Sequence, residues 1–149
     1  MYMAENCNVD IMQYVYSTTT VLPVKLTTGD GASLRYLRAL QKVVFLDGLE
    51  TIGDYWFSNA NIQSVEIPAS VKCIGNGAFF RCKKLKLISL AKDGALEKIG
   101  IRCFQETKII EFCAPAQLKE IGAGAFTKCK QLKKVTLNEG IESLPKEIF

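Results

Sequence analysis

The chain of 149 residues contains no histidine at all. Histidine supplies the base in Ser-His-Asp and Cys-His catalysis, is a common metal ligand and titrates near neutral pH. Its absence excludes those catalytic sites and that pH switch. Six cysteines are present, but no two have the Cys-x-x-Cys spacing typical of a structural zinc site. We predict no catalytic residues, no metal and no cofactor, and hence no enzyme.

Long apolar runs are also missing. No stretch approaches the roughly 18 residues that cross a bilayer, so we predict no membrane span. Residues 1–10 show no basic region followed by an apolar stretch, so no secretion signal is visible. Hydrophobic residues make up 48% and charged residues 23% of the chain, an ordinary balance for a folded domain. The residues alone leave the cellular compartment undetermined.

The net charge is only +4, although the lysines fall in clusters. One cluster holds Lys83, Lys84 and Lys86, and another holds Lys128, Lys130, Lys133 and Lys134. We interpret both clusters as solvated surface. A nucleic-acid or anionic-surface footprint would require these lysines on one side of the fold, and we predict no nucleic-acid partner.

A repeat of 22 to 25 residues runs through most of the chain. The pair Ile-Gly recurs at Ile52, Ile74, Ile99 and Ile121, and Leu144-Pro145 is a degenerate fifth copy. A phenylalanine follows five positions after each of these residues, at Phe57, Phe79, Phe104, Phe126 and Phe149. Apolar residues also recur upstream, as Leu40, Val43, Phe45 and Leu49 do in the first copy. The third copy fits once two extra residues near Lys92-Asp93 are allowed.

This spacing indicates a solenoid. Val43 and Phe45 alternate, as in a short strand with one buried face. The glycine after each Ile would allow a tight turn, and we interpret Gly75-x-Gly77 and Gly122-x-Gly124 as turns rather than phosphate loops. A unit this small cannot bury its apolar residues alone, so the copies must stack. The strands then form a parallel sheet on the concave side, and the Phe-bearing segments form short helical turns on the convex side.

We therefore predict an α/β solenoid of about five coils over residues 34–149. The repeats lie near 40–61, 62–84, 85–108, 109–131 and 132–149. Residues 1–33 do not carry the repeat and are predicted to form an irregular N-terminal cap, with a strand or hairpin that covers the first coil.

Two segments connect the repeat to a known family. Residues 67–82 (IPASVKCIGNGAFFRC) and 121–129 (IGAGAFTKC) resemble the BspA-like class of leucine-rich repeats. The resemblance covers roughly residues 34–149. It implies a right-handed solenoid with a unit of about 23 residues. It also implies a place at the surface of bacteria or protists and a role in adhesion or protein binding, although a fold alone does not fix a function.

The outward side chains of the predicted strands form three rows across the coils. Exposed apolar stretches mark contact surfaces, whereas single exposed apolar residues are common and carry no such meaning. We predict a partly apolar concave binding surface made of Val44, Leu46, Glu66, Pro68, Leu87, Ala91, Glu111, Cys113 and Pro115.

Two functions stay open at this point. The first is a non-enzymatic module that binds a protein ligand, with a host protein among the candidates, on the concave face. The second is a structural protein that forms homo-oligomers through the same face or through an uncapped last coil. The predicted assembly edge of that coil consists of Leu144, Ile148 and Phe149.

The cysteines are predicted to be free thiols. Cys82 and Cys129 occupy the same repeat position but lie two coils apart, at about 10 Å, which exceeds disulfide reach. Cys103 replaces the small residue beside the core phenylalanine and is interpreted as a packing residue. Cys73 and Cys113 are expected to be partly exposed.

Overall fold

The computed structural model describes residues 19–22, 40–45 and 48–149. Ten short strands occur in this part of the chain. They are β1 (Thr19–Leu22), β2 (Lys42–Phe45), β3 (Thr51–Ile52), β4 (Ser64–Ile67), β5 (Cys73–Ile74), β6 (Leu87–Leu90), β7 (Lys98–Ile99), β8 (Glu111–Cys113), β9 (Glu120–Ile121) and β10 (Lys134–Thr136).

The longer strands form the predicted parallel sheet. The order is β1-β2-β4-β6, and β8 pairs with β10 as a separate two-stranded sheet. Residues at equivalent repeat positions are paired across the strands: Ser64 pairs with Leu87, and Lys134 pairs with Glu111. Since β6 belongs to the coil with the extra residues near Lys92-Asp93, the ladder is interrupted next to the one irregular repeat.

Strand β1 lies within the segment 1–33 that was predicted as a cap. It pairs with β2 in parallel, with Thr19 opposite Lys42 and Leu22 opposite Phe45. A strand therefore lies within this segment, and it extends the repeat sheet by one strand. The remainder of the predicted cap lies outside the described residues.

The two-residue strands form a second parallel ladder, β3-β5-β7-β9. Each contains the Ile of one Ile-Gly pair, and Ile52, Ile74 and Ile99 are fully buried. The core phenylalanines stack next to this ladder. Ring centroids lie 5.3 Å apart for Phe57 and Phe79, and 5.5 Å apart for Phe79 and Phe104. The predicted core of the inner coils is confirmed.

The last coil is less covered than its repeat positions predict. Leu137 occupies the repeat position of the buried Phe45 but is 38% exposed, and Leu144 is 47% exposed. Ile148 is buried, and Phe149 contacts Phe126 with ring centroids 6.2 Å apart while remaining 63% exposed. The final coil thus presents one buried and two exposed members of the predicted assembly edge.

Helical turns were predicted on the convex side, and the described residues contain none there. In the first of these segments Trp56 N–H and Ser58 N–H donate to carbonyls three residues back, whereas Tyr55 N–H and Phe57 N–H donate to the next coil, 2.9 and 2.8 Å away. Two positions in each of the first four turns have positive φ, for example Tyr55 at 57° and Asn59 at 63°. Left-handed residues interrupt an α-helix, so each segment forms successive turns bonded to its neighbour.

Glycine after the Ile has a different reason from the tight turn that was predicted. Gly75, Gly100 and Gly122 stack on the coil before them: a Cβ on Gly100 would lie 2.5 Å from both Asn76 N and the carbonyl carbon of Gly75. The neighbouring N–H groups are also satisfied between coils, since Asn76 Oδ1 accepts the N–H of Ile101 at 2.8 Å. Gly77, by contrast, does supply a positive φ of 57°.

We predict that Gly100→Ala lowers the free energy of unfolding by about 1–3 kcal/mol or more, because backbone atoms of the preceding coil must move. Urea denaturation followed by circular dichroism measures the change.

Gly140→Ala is the matched control. A Cβ there meets Asn138 Oδ1 at 3.3 Å and nothing else within 3.6 Å, so we expect a change of less than about 1 kcal/mol. Equal destabilisation by both substitutions would contradict the stacking argument.

Candidate binding surface

The outward side chains of β2, β4, β6, β8 and β10 form a surface that we call the strand face. Its described residues alternate with the core as expected: Ser64, Glu66, Leu87, Glu111 and Cys113 are exposed or half-buried, whereas Val65 and Phe112 are buried. Parallel register places Glu66 opposite Ser89 and Cys113 opposite Thr136. These residues therefore lie on the outward side of the strands, with mixed polar and apolar character.

Leu87 is the most exposed large apolar side chain of this face among the residues whose burial the structure describes, at 61%. Its cross-strand neighbour is Ser64, and Glu66 stands two residues further along β4. Ala91 is exposed and Pro68 is half-buried beyond the ends of β6 and β4.

Two residues of the predicted surface cannot be placed, and one is wrong. Leu46 and the side chain of Val44 lie outside the described residues. Pro115 was predicted to point outward and is buried. Strand β8 ends at Cys113, so the alternation does not extend to Pro115, and the Asn138 amide of the next coil donates to its carbonyl.

A shallow cleft of about 480 Å³ lies across the ends of the first strands. Its polar lining includes Lys42, Glu66 and Ser89, and its apolar lining includes Pro68 and Ala91. Glu66, Pro68 and Ala91 belong to the predicted surface. The cleft carries one cation, one carboxylate and several apolar groups, which suits a peptide or protein surface better than a metal ion or a charged metabolite.

The coil edge on the side of the two-residue strands carries paired charges. Glu50 and Lys72 form an ion pair at 3.0 Å, Lys119 and Glu97 one at 3.5 Å, and Lys98 and Glu120 one at 2.8 Å. Each pair joins neighbouring coils, and both partners are largely exposed. We call this the paired edge. Exposed pairs of this kind contribute little to stability, but they leave this edge near neutrality.

The opposite edge links the convex turns to the strands and collects the predicted lysine clusters. We call it the lysine edge, and it consists of Lys83, Lys84, Lys86, Lys108, Lys128, Lys130 and Lys133. The sequence-based interpretation as scattered solvated surface missed this arrangement. A signal was available, since Lys83, Lys108 and Lys130 each follow the same repeat position, occupied by Cys82, Thr107 and Cys129.

Comparison with known proteins agrees with this geometry. The family model of the BspA type leucine rich repeat region matches in six copies, over residues 10–112 and 50–149. The chain belongs to this family. The match begins inside the segment predicted as a non-repeat cap, where β1 lies. No curated protein gives a significant match.

Several solved structures similar to this chain come from bacteria. The pneumococcal vaccine antigen PcpA is 31% identical with a TM-score of 0.64, over 70% of this chain and 26% of that one. A leucine-rich repeat protein from Bacteroides ovatus is 28% identical with a TM-score of 0.68, over 80% and 33% of the two chains. The T. pallidum leucine-rich repeat protein is 22% identical with a TM-score of 0.70, over 83% and 72%. The chain thus spans about a quarter of PcpA and a third of the Bacteroides protein.

Two cysteines at equivalent positions of the BspA-type repeat, buried Cys82 and half-buried Cys129, bond to the coil before them. Cys82 Sγ donates to the carbonyl of Phe57 at 2.9 Å, and Cys129 Sγ donates to that of Phe104 at 3.0 Å. Thr107 at the same repeat position donates to Phe104 O at 2.9 Å. Burial raises the pKa of Cys82 to about 12 and that of Cys103 well above its usual value. These thiols therefore remain protonated, as packing residues should.

Residues 40–45 and 48–149 were also searched for metal sites and membrane spans. They contain no group of three or more side chains suited to hold a metal ion. No helix in the described part of the chain is long and apolar enough to cross a membrane.

We predict that iodoacetamide at pH 8 modifies Cys113 in the native protein and leaves Cys82 and Cys103 unmodified. Alkylation requires an exposed thiolate, and a thiol with a pKa of about 12 is roughly 0.01% ionised at pH 8. Peptide mapping by mass spectrometry measures each site separately.

The same reaction in 6 M urea is the control and should modify all cysteines. If Cys82 in the native protein reacted as fast as Cys113, its placement in the core would be wrong.

Proposed function

We propose that this chain is a non-enzymatic protein-binding module of a cell-surface or extracellular protein, and that it engages its ligand on the strand face around Leu87. Membership of the BspA-type family supports a binding or adhesion role. The pneumococcal vaccine antigen and a cell-surface protein of Faecalibacterium prausnitzii among the similar structures support the location.

The single observation that carries the proposal is the exposure of Leu87 on a regular strand. An apolar side chain that is 61% exposed gains free energy when a partner covers it. Its surroundings are polar, with Ser64 opposite and Glu66 nearby, as in the rim of an ordinary interface. A ligand with one apolar anchor and a basic group beside it would satisfy both Leu87 and Glu66.

We expect Leu87→Asp to weaken binding to a protein ligand at least tenfold, because it places a carboxylate in the apolar centre of the contact. The assay is surface plasmon resonance against a panel of purified extracellular-matrix proteins, among which at least one ligand is expected for the unmodified chain.

Ile101→Asp is the matched control. Ile101 is 50% exposed but lies outside the strand face, directly after Gly100. This substitution should leave the affinity within about twofold. The proposal fails if the unmodified chain binds no protein of the panel, or if both variants lose affinity equally while circular dichroism shows them folded.

Self-association is a second candidate, favoured by the exposed apolar residues of the last coil. Leu137, Leu144 and Phe149 are each more than one-third exposed, whereas Ile148 is buried and unavailable. A second copy of the chain could cover the exposed residues together with the strand face.

The self-association hypothesis predicts that light scattering of the 149-residue chain gives the mass of a dimer or larger species. Phe149→Ser should then shift the population toward monomer. A monomer at high protein concentration would exclude self-association and leave the binding proposal untouched.

A further inference from the structure

The two edges of the solenoid differ in how their lysines are used. On the paired edge Lys72, Lys98 and Lys119 each lie within 3.5 Å of a glutamate oxygen on a neighbouring coil. On the lysine edge only Lys128 has such a partner among the described residues, Glu106 at 3.8 Å. The same side-chain type is therefore neutralised on one side of the coils and left uncompensated on the other.

The charge of the lysine edge exceeds that of the whole chain. Its seven lysines and the adjacent Glu106 together carry a charge of +6, whereas the entire chain has a net charge of +4. The remainder of the protein must then be net negative. Like charges that are gathered on one edge repel one another, so stability alone does not explain their position.

The lysines also share a concave site. A cleft of about 440 Å³ is lined by Lys83, Lys108, Lys128 and Lys130 together with Glu106 and Thr107. Glu106 is already engaged, since its carboxylate lies 3.3 Å from Arg81 Nε and 3.8 Å from Lys128 Nζ. The cleft therefore presents ammonium groups from three successive coils and one carboxylate that is already paired.

These groups form a row along the solenoid axis. Backbone bonds stack the edge coil on coil: Lys108 N–H donates to Leu85 O at 3.0 Å, and Lys133 N–H donates to Ile110 O at 2.8 Å. One coil adds a strand spacing of about 4.8 Å, so Lys83 and Lys130 are separated by roughly 10 Å along the axis. A single small anion cannot reach both ends of such a row, whereas a linear polyanion can follow it.

We propose that the lysine edge binds a linear sulfated polysaccharide that runs along the solenoid axis. Lysine suits such a ligand because the ammonium group is a flexible point charge without fixed bidentate geometry. A single-stranded nucleic acid is less well matched, because it needs exposed aromatic rings for base stacking. Phe80, the aromatic residue beside this edge, is half-buried and covered by the Arg81 guanidinium at 4.9 Å from its ring centroid.

Heparin is the probe for this proposal. We expect the unmodified chain to be retained on immobilised heparin at physiological salt, and its affinity to fall as salt rises. The double variant Lys83→Gln with Lys130→Gln should raise the Kd about tenfold at 0.1 M NaCl. It should also flatten the dependence of log Kd on log salt by roughly two, one for each lost charge.

The matched control is Lys92→Gln with Lys146→Gln. Lys92 and Lys146 are both exposed and lie outside the lysine edge. Replacing them removes two positive charges, as in the test variant. We expect the control to change the Kd less than twofold, with unchanged thermal midpoints for both double variants. Desulfated heparin should bind at least tenfold more weakly than heparin.

Four results would overturn the proposal: no retention of the unmodified chain at physiological salt, equal losses in the two double variants, equal binding of desulfated heparin, or tighter binding of a single-stranded RNA oligonucleotide under the same conditions. The proposal is independent of the strand face. A chain that loses its protein ligand through Leu87→Asp should still bind heparin, and the reverse holds for the lysine variants.

Discussion

Backbone hydrogen bonding between successive coils is the interaction on which the rest of this molecule depends. On one side of each coil, N–H groups donate to the preceding coil, as Gly75 does to Ile52 O at 2.8 Å. On the convex side they donate to the following coil, as Phe57 does to Ala78 O at 2.8 Å. These bonds set the distance between successive coils, both at the Ile-Gly pairs and at the convex turns. At the Ile-Gly pairs the coils are too close for a Cβ, so the residue is glycine. At the same coil spacing the phenylalanine rings stack on one another.

This constraint explains why the inner coils could be predicted from the sequence and the convex turns could not. A buried residue must recur at each coil, so Ile74, Phe79 and their equivalents were visible as a periodic pattern. The left-handed positions carry no comparable pattern. They are occupied by Tyr55, Gly77, Arg102 and Gly124 in successive copies, and only glycine signals a positive φ. Backbone bonds to the next coil hold Tyr55 and Arg102 in that conformation. The sequence of one repeat does not indicate those bonds, because they join two coils.

The outward residues of the candidate surface could be predicted within the strands but not beyond their ends. Strand alternation placed Glu66, Leu87, Glu111 and Cys113 correctly on the outside, because their neighbours Val65, Ile88 and Phe112 are held inward by the core. The alternation ends where the strand ends, which is why Pro115 is buried. The row of Lys83, Lys108 and Lys130 was also visible in the repeat, because each follows the same repeat position at the coil spacing of 25 and 22 residues. It was missed because each lysine cluster was interpreted separately along the chain.

A solenoid of this kind separates its surfaces by construction. Each coil contributes one short segment to the strand face, one to the paired edge and one to the lysine edge, and stacking turns each segment into a row. Substitutions on one row leave the backbone bonds of the others intact, since those bonds involve no exposed side chain. The ligands proposed for the strand face around Leu87 and for the lysines around Lys108 would therefore contact different rows. Because both rows follow the same axis, a protein held by Leu87 and a polyanion held by the lysine edge would lie side by side on the same coils.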